Sequence, residues 1–382
     1  MEPLLSWARK NQPALIRFIR ELVECESPTD SPEAVSRCAE LLADSLSGIA
    51  DGRTVPTRAG VGRTYVCEFR LPGRVKRGRI LALGHSDTVW PMGTLRTMRF
   101  RQRDGRLWGP GVLDMKSGLA MFAFAMRALR ELEIPVVHQV ELLVNPDEET
   151  GSVASRATTE QLAKGCRAVL VLEPGTGLEG KVKTARKGIG SYRVTVRGVA
   201  AHSGVDFEKG ASAVVELSRQ IAEKIAGFTD LPRGVTVNPG VISGGTRSNV
   251  IAAQAETLVD IRVPRARGAI ALDKKFRALR SFDKRCSLEV TGGLNRPPME
   301  RSKGIAELFG LARGFASELG VTLEESSTGG GSDGNFTAAL GVPTLDGIGA
   351  VGEGAHAAHE SVLVARLADR VALLSKLIAG IG

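Results

Sequence analysis

The sequence predicts an α/β protein in which a mostly parallel sheet is interrupted by a smaller α+β insert. Short apolar runs alternate with helical patterns in the N-terminal part, and several runs end in a histidine or an acidic residue, as is typical of parallel sheets. From about residue 181 the pattern changes to longer strands around one helix, and near residue 303 the first pattern returns. A chain of 382 residues with 43% apolar and only 4% aromatic content favours about two domains with aliphatic cores.

Individual elements follow from the spacing of apolar residues and from the turn residues between them. The first part is predicted to contain helices 4–24 and 32–46, a strand 80–83, a hairpin near 104–111, a helix 119–132, a strand 140–144, a helix 153–163 and a strand 168–172. The insert is predicted to contain a strand 190–198, a helix 211–225 and a strand 258–263. The last part is predicted to contain a helix 303–319, a strand 321–325, a helix 334–340, a strand 342–345 and a helix 362–378.

Composition and charge exclude several classes of protein. The net charge is +9, but the basic residues are spread out except in the stretch 74–79 and at Arg99, Arg101 and Arg103. Phe100 is the one aromatic residue within these stretches, whereas a nucleic-acid groove would require several, so small anionic substrates fit the charge better.

The sequence also predicts where the protein is found. No apolar run approaches the roughly 20 residues of a membrane span, and the first residues lack the apolar region of a signal peptide. The five cysteines are scattered without CxxC spacing, which argues against a disulfide framework or a thiolate zinc site. We therefore expect a soluble, cytoplasmic protein that binds neither membranes nor nucleic acids.

Three acidic residues follow one predicted strand, in the stretch LLVNPDEETG from Leu142 to Gly151. Asp147, Glu148 and Glu149 should lie at the carboxyl end of this strand, where open α/β sheets place ligand sites. Neighbouring side chains point to opposite sides of an extended backbone, so the two glutamates are predicted to have different roles. One could bind a metal while the other handles protons, although a solvated acidic loop has the same composition.

Other candidate ligands also follow strands or lie in glycine-rich turns. His85 comes directly after a buried strand, and Asp87 is placed to hold its ring N–H, as partners of metal-binding imidazoles do. Asp114 lies between two glycines, where it could reach inward or cap the next helix, and Glu173 follows another strand. Histidine and carboxylate donors without thiolates are typical of a hydrolytic zinc centre, or of one holding cobalt or manganese.

Eight motifs occur together in a recognisable order. They are HSDTV at His85, GPGVLDMKSG at Gly109, DEETGS at Asp147, LEPG at Leu172, AAHSG at Ala200, SNVIAA at Ser248, GGGSDG at Gly329 and HAAHE at His356. In this order the sequence resembles the M20 metallopeptidases, most closely their glutamate carboxypeptidase branch, over nearly the whole chain. The resemblance implies a catalytic domain of residues 1–178 and 297–382 and an inserted lid and dimerisation domain of residues 179–296.

The resemblance also assigns the acids and histidines of the catalytic domain. It implies that two zinc ions per subunit are bound, one by His85, Asp114 and Glu173 and the other by Asp114, Glu149 and His356. It makes Glu148 the general base and acid and Asp87 the residue that orients His85. His356 is preferred over His359 because the pattern places a glutamate, here Glu360, four residues after the ligand, and a cis peptide is implied between Asp114 and Met115.

In the lid, the resemblance implies that His202 polarises the scissile carbonyl. Asn249, Arg262, Arg296 and Lys181 match positions that hold substrate carboxylates, for which the fork of an arginine side chain is well suited. The lid is also expected to form a homodimer.

The sequence thus predicts a two-zinc hydrolase that cleaves the amide bond of N-acyl amino acids or peptides and releases a C-terminal residue like glutamate. An aminoacylase or dipeptidase with another substrate would use the same metal residues. A serine hydrolase is a further alternative, because GGSDG at Gly330 matches G-x-S-x-G around Ser332, with Asp346 and His356 downstream. A metal-binding protein without catalysis would be expected to lack the base or a ligand, and no such break is visible.

Overall fold

The computed structural model describes residues 2–58, 60–73 and 76–382; Arg74 and Val75, which begin the first basic stretch, lie outside these residues. The chain divides into two compact units. The larger unit consists of the residues up to Ala185 together with Arg301–Thr328 and Ser332–Gly382, and the smaller unit consists of Arg186–Glu300 and Gly329–Gly331. The division expected from the sequence, at 178/179 and 296/297, lies a few residues from these bounds.

The helices and strands of the described residues are numbered in chain order. The helices are α1 (Pro3–Glu24), α2 (Pro32–Leu46), α3 (Ser117–Glu131), α4 (Arg156–Ala163), α5 (Ala213–Gln220), α6 (Ala266–Arg277), α7 (Lys303–Glu318), α8 (Gly334–Ala339) and α9 (Leu367–Gly380). The strands are β1 (Ala50–Val55), β2 (Thr64–Phe69), β3 (Arg79–His85), β4 (Arg101–Arg103), β5 (Arg106–Trp108), β6 (Gln139–Asn145), β7 (Ala168–Val171), β8 (Val182–Arg186), β9 (Gly188–Arg197), β10 (Thr236–Gly244), β11 (Gln254–Val263), β12 (Ser287–Arg296), β13 (Glu325–Thr328), β14 (Thr344–Asp346), β15 (Gly352–Glu353) and β16 (Ser361–Leu363).

The larger unit is built on an eight-stranded sheet with the order β1-β2-β6-β3-β7-β14-β8-β13. Its central strands β6, β3, β7 and β14 are mutually parallel, whereas β1 and β2 are antiparallel additions at one side. A second, small antiparallel sheet of the order β15-β16-β5-β4 belongs to the same unit. The predicted α/β fold with a mostly parallel sheet is confirmed.

Both faces of the large sheet are covered, which explains why its central strands are apolar throughout. Successive side chains of β3 point to opposite faces, so that Ile80 and Ala82 join one apolar cluster and Leu81 and Leu83 join another. The first cluster also contains the apolar faces of α1, α3, α7 and α9. Helix α3 is buried on nearly every side from Ser117 to Leu129, as expected of a helix in the interior of a domain.

The smaller unit is a four-stranded antiparallel sheet with the order β10-β11-β9-β12. Alternate residues of β11 are buried, which is typical of a sheet with one packed face. Its core joins this face to helices α5 and α6, and the ring of Tyr192 stacks on that of Phe276 with 3.9 Å between centroids. The predicted α+β insert is thus present as a unit with its own core.

Two predicted elements are wrong in position. The strand expected at residues 321–325 lies at Glu325–Thr328, and the last helix begins at Leu367 rather than at residue 362. Residues 361–363 instead form strand β16, in which Ser361 is opposite Trp108. This pairing joins segments that are far apart in the chain, so local periodicity contains no sign of it.

Two expectations about the class of protein can be compared with the described residues. Among them there is no helix with the length and apolarity needed to cross a membrane. All five cysteines are free thiols, in agreement with the absence of CxxC spacing.

Candidate metal centre

The predicted ligands His85 and Glu173 and the acidic stretch Asp147–Glu149 converge because they follow three adjacent parallel strands. His85 is the last residue of β3, the acidic stretch begins two residues after β6, and Glu173 lies two residues after β7. Strand β3 pairs with both β6 and β7, so the carboxyl ends of all three strands meet at one edge of the sheet.

Two histidines face the two oxygens of one carboxylate. His85 Nε2 lies 3.2 Å from Asp114 Oδ1 and 3.6 Å from Glu173 Oε1. His356 Nε2 lies 3.3 Å from Asp114 Oδ2 and 3.2 Å from Glu149 Oε2. The structure therefore brings together all five residues that the sequence predicted as ligands, with Asp114 at the centre.

The spacing of these atoms fits divalent metal ions. Nitrogen and oxygen ligands of zinc lie about 2.0–2.2 Å from the ion, and at tetrahedral angles neighbouring ligand atoms are then roughly 3.3–3.5 Å apart. The four nitrogen-to-oxygen distances of 3.2–3.6 Å have this size. Moreover, Glu149 Oε1 is buried and has no hydrogen-bond partner among the described residues, which is costly unless a cation is bound there.

The charged groups of the cluster perturb one another strongly. Burial would raise the pKa of Asp114, but its hydrogen bonds with the two imidazoles lower it well below the usual range. Burial would lower the pKa of His85, and yet hydrogen bonds with Asp114, Asp87 and Glu173 raise it well above the usual value. Hydrogen bonds with Asp114 and Glu149 raise the pKa of His356 to about 10. The raised pKa values of the two histidines reflect the carboxylates around them, which favour a positive charge at this position.

Glu148 and Glu149 are separated by a different geometry from the one predicted. Residues 148–150 form a single turn of 3-10 helix, so the argument from opposite sides of an extended backbone is wrong. The carboxylate oxygens of Glu148 and Glu149 both approach the site: Glu148 lies with His85 and Glu173, and Glu149 lies with His85 and Asp114, each group within 4.8 Å. Both acids thus face the same centre.

Asp87 holds this acidic turn in place. Its carboxylate accepts hydrogen bonds from the main-chain N–H groups of Glu148 at 3.2 Å and Glu149 at 3.1 Å, and from the Thr29 hydroxyl at 2.8 Å. His85 Nδ1 lies 2.9 Å from the main-chain oxygen of Asp87 and 3.3 Å from its carboxylate. Asp87 therefore orients the imidazole partly through its own carbonyl group, and Thr29 is a neighbour that the sequence did not single out.

The segment that carries Asp114 is held by a buried glutamate. Its Asp114–Met115 peptide is cis, as the resemblance implied. Glu360 accepts hydrogen bonds from the N–H groups of Gly111, Leu113 and Asp114. The sequence used Glu360 only to choose His356 as ligand, and no local pattern indicated its buried role, because its partners lie far away in the chain.

The alternative of a serine hydrolase does not agree with the structure. Ser332 is fully buried, and its hydroxyl donates a hydrogen bond to Asp346 and accepts one from the N–H of Gly334. The imidazole of His356 faces Asp114 and Glu149 instead. A nucleophile must be reachable by substrate and paired with a base, so the interpretation of Ser332 as nucleophile is wrong.

Within the smaller unit, His202 and Asn249 lie on neighbouring loops. The N–H of Ser203 donates to the carbonyl of Asn249 at 3.0 Å. His202 Nδ1 accepts a hydrogen bond from the N–H of Gly204 at 3.1 Å. When Nδ1 of a neutral imidazole accepts a hydrogen bond, the N–H group of the ring is at Nε2. This N–H group can donate a hydrogen bond to a carbonyl oxygen.

The predicted carboxylate-binding residues differ in their surroundings. In the smaller unit, Arg262 makes two hydrogen bonds of 2.9 Å with Asp260, whereas Arg296 is buried. In the larger unit, Lys181 forms an ion pair of 2.6 Å with Glu324. Arg262 and Lys181 therefore already contact carboxylates of the protein itself.

The family described as Peptidase family M20/M25/M40 matches residues 81–380 of the chain. The chain belongs to this family. It is accordingly a hydrolase of the metallopeptidase class, and its cluster of histidine and carboxylate side chains has the composition of a metal site of that class.

Several M20 relatives and solved structures are similar along nearly their whole length. Carboxypeptidase G2 of Pseudomonas sp. (strain RS-16) is 29% identical over 386 residues, covering 99% of this chain and 92% of that protein. Succinyl-diaminopimelate desuccinylase of Paraburkholderia xenovorans (strain LB400) is 26% identical over 349 residues, covering 86% and 90%. The structure of aminopeptidase PepT from Bacillus cereus ATCC 10987 superposes with a TM-score of 0.81 at 25% identity, covering 97% of this chain and 99% of that one. These M20 relatives have different names as enzymes, so membership alone leaves the substrate open.

Proposed function

We propose that the protein is a two-metal amidohydrolase that cleaves N-acyl amino acids or peptides and releases a C-terminal residue like glutamate. The observation that carries this proposal is Asp114, whose two oxygens face two different imidazoles. His85, Asp114 and Glu173 would hold one ion, and Asp114, Glu149 and His356 the other. Zinc suits these donors, and cobalt or manganese could replace it.

Glu148 is the proposed proton carrier. The ions, when bound, supply Lewis-acid polarisation of the amide carbonyl and a water of lowered pKa. One carboxylate oxygen of Glu148 takes the proton of the attacking water and later delivers it to the nitrogen of the leaving amine. Two contacts support this role, because the turn of Glu148 is fixed by Asp87 and its carboxylate lies within 4.8 Å of donor atoms of His85 and Glu173.

The smaller unit is proposed to supply substrate contacts and a dimer surface. His202 would polarise the scissile carbonyl through a hydrogen bond from its Nε2–H group. Asn249, Arg262 and Arg296 would bind carboxylate groups, with Lys181 of the larger unit. The smaller unit is also the proposed site of a homodimer, which would cover exposed apolar side chains of this unit. They include Val205, Phe207, Val215, Val241 and Ile242, which are 56–76% exposed.

The proposed preference for glutamate rests on the cationic side chains proposed to bind carboxylates and on the similarity to carboxypeptidase G2. Arginine forks bind carboxylates in a bidentate manner, and a substrate that ends in glutamate offers two carboxylates. Carboxypeptidase G2 shares 29% identity over 99% of the chain. A second candidate is a deacylase or dipeptidase for another residue, which the similarity to a desuccinylase favours.

A panel of N-acyl amino acids and dipeptides with C-terminal glutamate, alanine or lysine tests both parts of the proposal. With zinc present, the glutamate substrates should have the highest kcat/KM, and a chelator should abolish hydrolysis of every substrate. Faster cleavage of alanine or lysine substrates would favour the second candidate, whereas hydrolysis that survives metal removal contradicts the two-metal mechanism itself.

A further inference from the structure

Glu360 is a fully buried carboxylate surrounded by hydrogen-bond donors. Its Oε1 accepts the N–H groups of Leu113 at 2.8 Å and Asp114 at 3.1 Å. Its Oε2 accepts the N–H of Gly111 at 2.9 Å and the indole N–H of Trp90 at 2.8 Å. Each oxygen thus serves two donors, and the side chain is 0% exposed.

This arrangement matches the hydrogen-bonding capacity of a carboxylate side chain. A carboxylate accepts hydrogen bonds at both oxygens and donates none, whereas a carboxylic acid would turn an O–H group towards the surrounding N–H donors. Hydrogen bonds to a charged acceptor are about twice as strong as those between neutral groups. The four bonds are therefore a strong constraint on the segments that supply them.

Those segments are separate in the chain, and each carries a proposed ligand. Trp90 follows His85 by five residues, the three main-chain donors belong to the turn that ends at Asp114, and Glu360 itself follows His356 by four residues. Glu360 therefore fastens the turn of Asp114 to the loop of His356, and both to the segment after His85.

The two proposed ion positions do not depend on Glu360 equally. His85 is paired with Asn145 in the ladder between β3 and β6, and Glu173 directly follows Leu172, whose N–H donates to the carbonyl of Leu83 in β3. Regular strand backbone therefore supports both residues. Asp114 and His356 lie on irregular backbone, and His356 has a positive φ of 62°, which is uncommon for a residue other than glycine.

We propose that Glu360 is a positioning residue for the metal centre, and that its loss weakens the ion held by Glu149 and His356 much more than the ion held by His85 and Glu173. The inference rests on the proposed two-metal function. It adds that this function depends on one buried side chain whose oxygens are occupied by four protein N–H groups.

Glu360→Gln is the informative variant because it keeps the size of the side chain. A glutamine has one oxygen and one NH₂ group, so either orientation of the amide turns two N–H donors towards an NH₂ group. The matched control is Glu353→Gln, which removes a carboxylate seven residues earlier. Glu353 pairs with Arg106 and its side chain is 49% exposed.

The measurement is a titration of the metal-free proteins with Co²⁺, followed by visible absorption and by elemental analysis, with circular dichroism as a check of folding. The native protein and Glu353→Gln should bind two equivalents. Glu360→Gln should bind the first with near-native affinity and the second about 10- to 100-fold more weakly, the effect known for residues that orient metal ligands.

Native affinity for both equivalents in Glu360→Gln would overturn the proposal, and so would equal weakening of both in a folded variant. A native protein that binds fewer than two equivalents instead overturns the two-metal function, and the inference with it. Should Glu360→Gln fail to fold, Trp90→Phe removes one of the four donors and leaves the three main-chain donors. It should weaken the second equivalent by a smaller factor, and unchanged binding would contradict the proposal.

Discussion

The metal centre of the larger unit and the proposed substrate contacts of the smaller unit are organised in opposite ways. Around the metal centre, two further carboxylates hold the backbone that carries the acids: Asp87 accepts the N–H groups of Glu148 and Glu149, and Glu360 accepts that of Asp114. In the smaller unit, His202 and Asn249 are exposed, and Arg262 is paired with its own neighbour Asp260.

This difference has a physical reason. Mutually repelling carboxylates that lie within a few ångströms of one another need buried hydrogen bonds to fix the segments that carry them. Groups that bind a substrate must be solvated or paired while the substrate is absent, since an unpaired buried cation is costly. Substitutions in the first region should therefore act on metal content and turnover, and those in the second on KM.

The largest effect is expected for Asp114→Asn, because Asp114 offers one oxygen to each imidazole. An amide presents a single oxygen and an uncharged group, so both proposed positions lose a ligand. Elemental analysis should find neither ion in stoichiometric amount, and hydrolysis should be undetectable. Asp104→Asn, on the exposed turn between β4 and β5, is the control, and two tightly bound ions in Asp114→Asn would contradict the proposed bridge.

Glu148→Gln should lower kcat by about 10² to 10⁴ while both ions remain bound, since a positioned proton carrier contributes a factor of this size. The result separates Glu148 from Glu149, whose replacement by glutamine should reduce metal content. Glu68→Gln, at an exposed position of β2, serves as control. A near-native kcat of Glu148→Gln would show that another group acts as the general base.

A smaller effect is expected for Thr29→Val, which removes one donor from Asp87 and keeps the shape of the side chain. The carboxylate of Asp87 then has more freedom to rotate, and the turn of Glu148 follows it. We expect kcat to fall by about tenfold, with KM and metal content unchanged, as for other partners of ligand-orienting groups. Thr97→Val, at an exposed position, is the matched control, and a change in KM alone would place Thr29 in the substrate site instead.

The residues of the metal cluster could be predicted from the sequence much better than the hydrogen bonds that hold them in place. Apolar runs that end at His85 and before Glu173 indicate strand ends. The carboxyl ends of parallel strands lie at the same edge of the sheet for any conformation of the loops. The 3-10 turn at Glu148 and the four donors of Glu360 could not be predicted in this way, because they depend on contacts between distant segments. The order of motifs assigned the ligands, but only the structure shows what keeps Asp114 in place.

The smallest effect is expected in the smaller unit, where Asp260→Asn tests the proposed substrate contacts. Asp260 makes two hydrogen bonds with Arg262, and the side chains of Asp260 and Arg262 are 44% and 32% exposed. In the proposed function, Asp260 would compete with the substrate carboxylate for this guanidinium group. An exposed ion pair is worth about 0.2–1 kcal/mol, so Asp260→Asn should lower KM for a glutamate-terminated substrate by about 1.4- to 5-fold and leave kcat unchanged. Asp273→Asn, on α6 and paired with Arg277, is a control in the same unit. If KM rises instead, Asp260 orients Arg262 for the substrate rather than competing with it. The substrate contacts of the smaller unit would then be held by a charged neighbour, as the acids of the metal centre are.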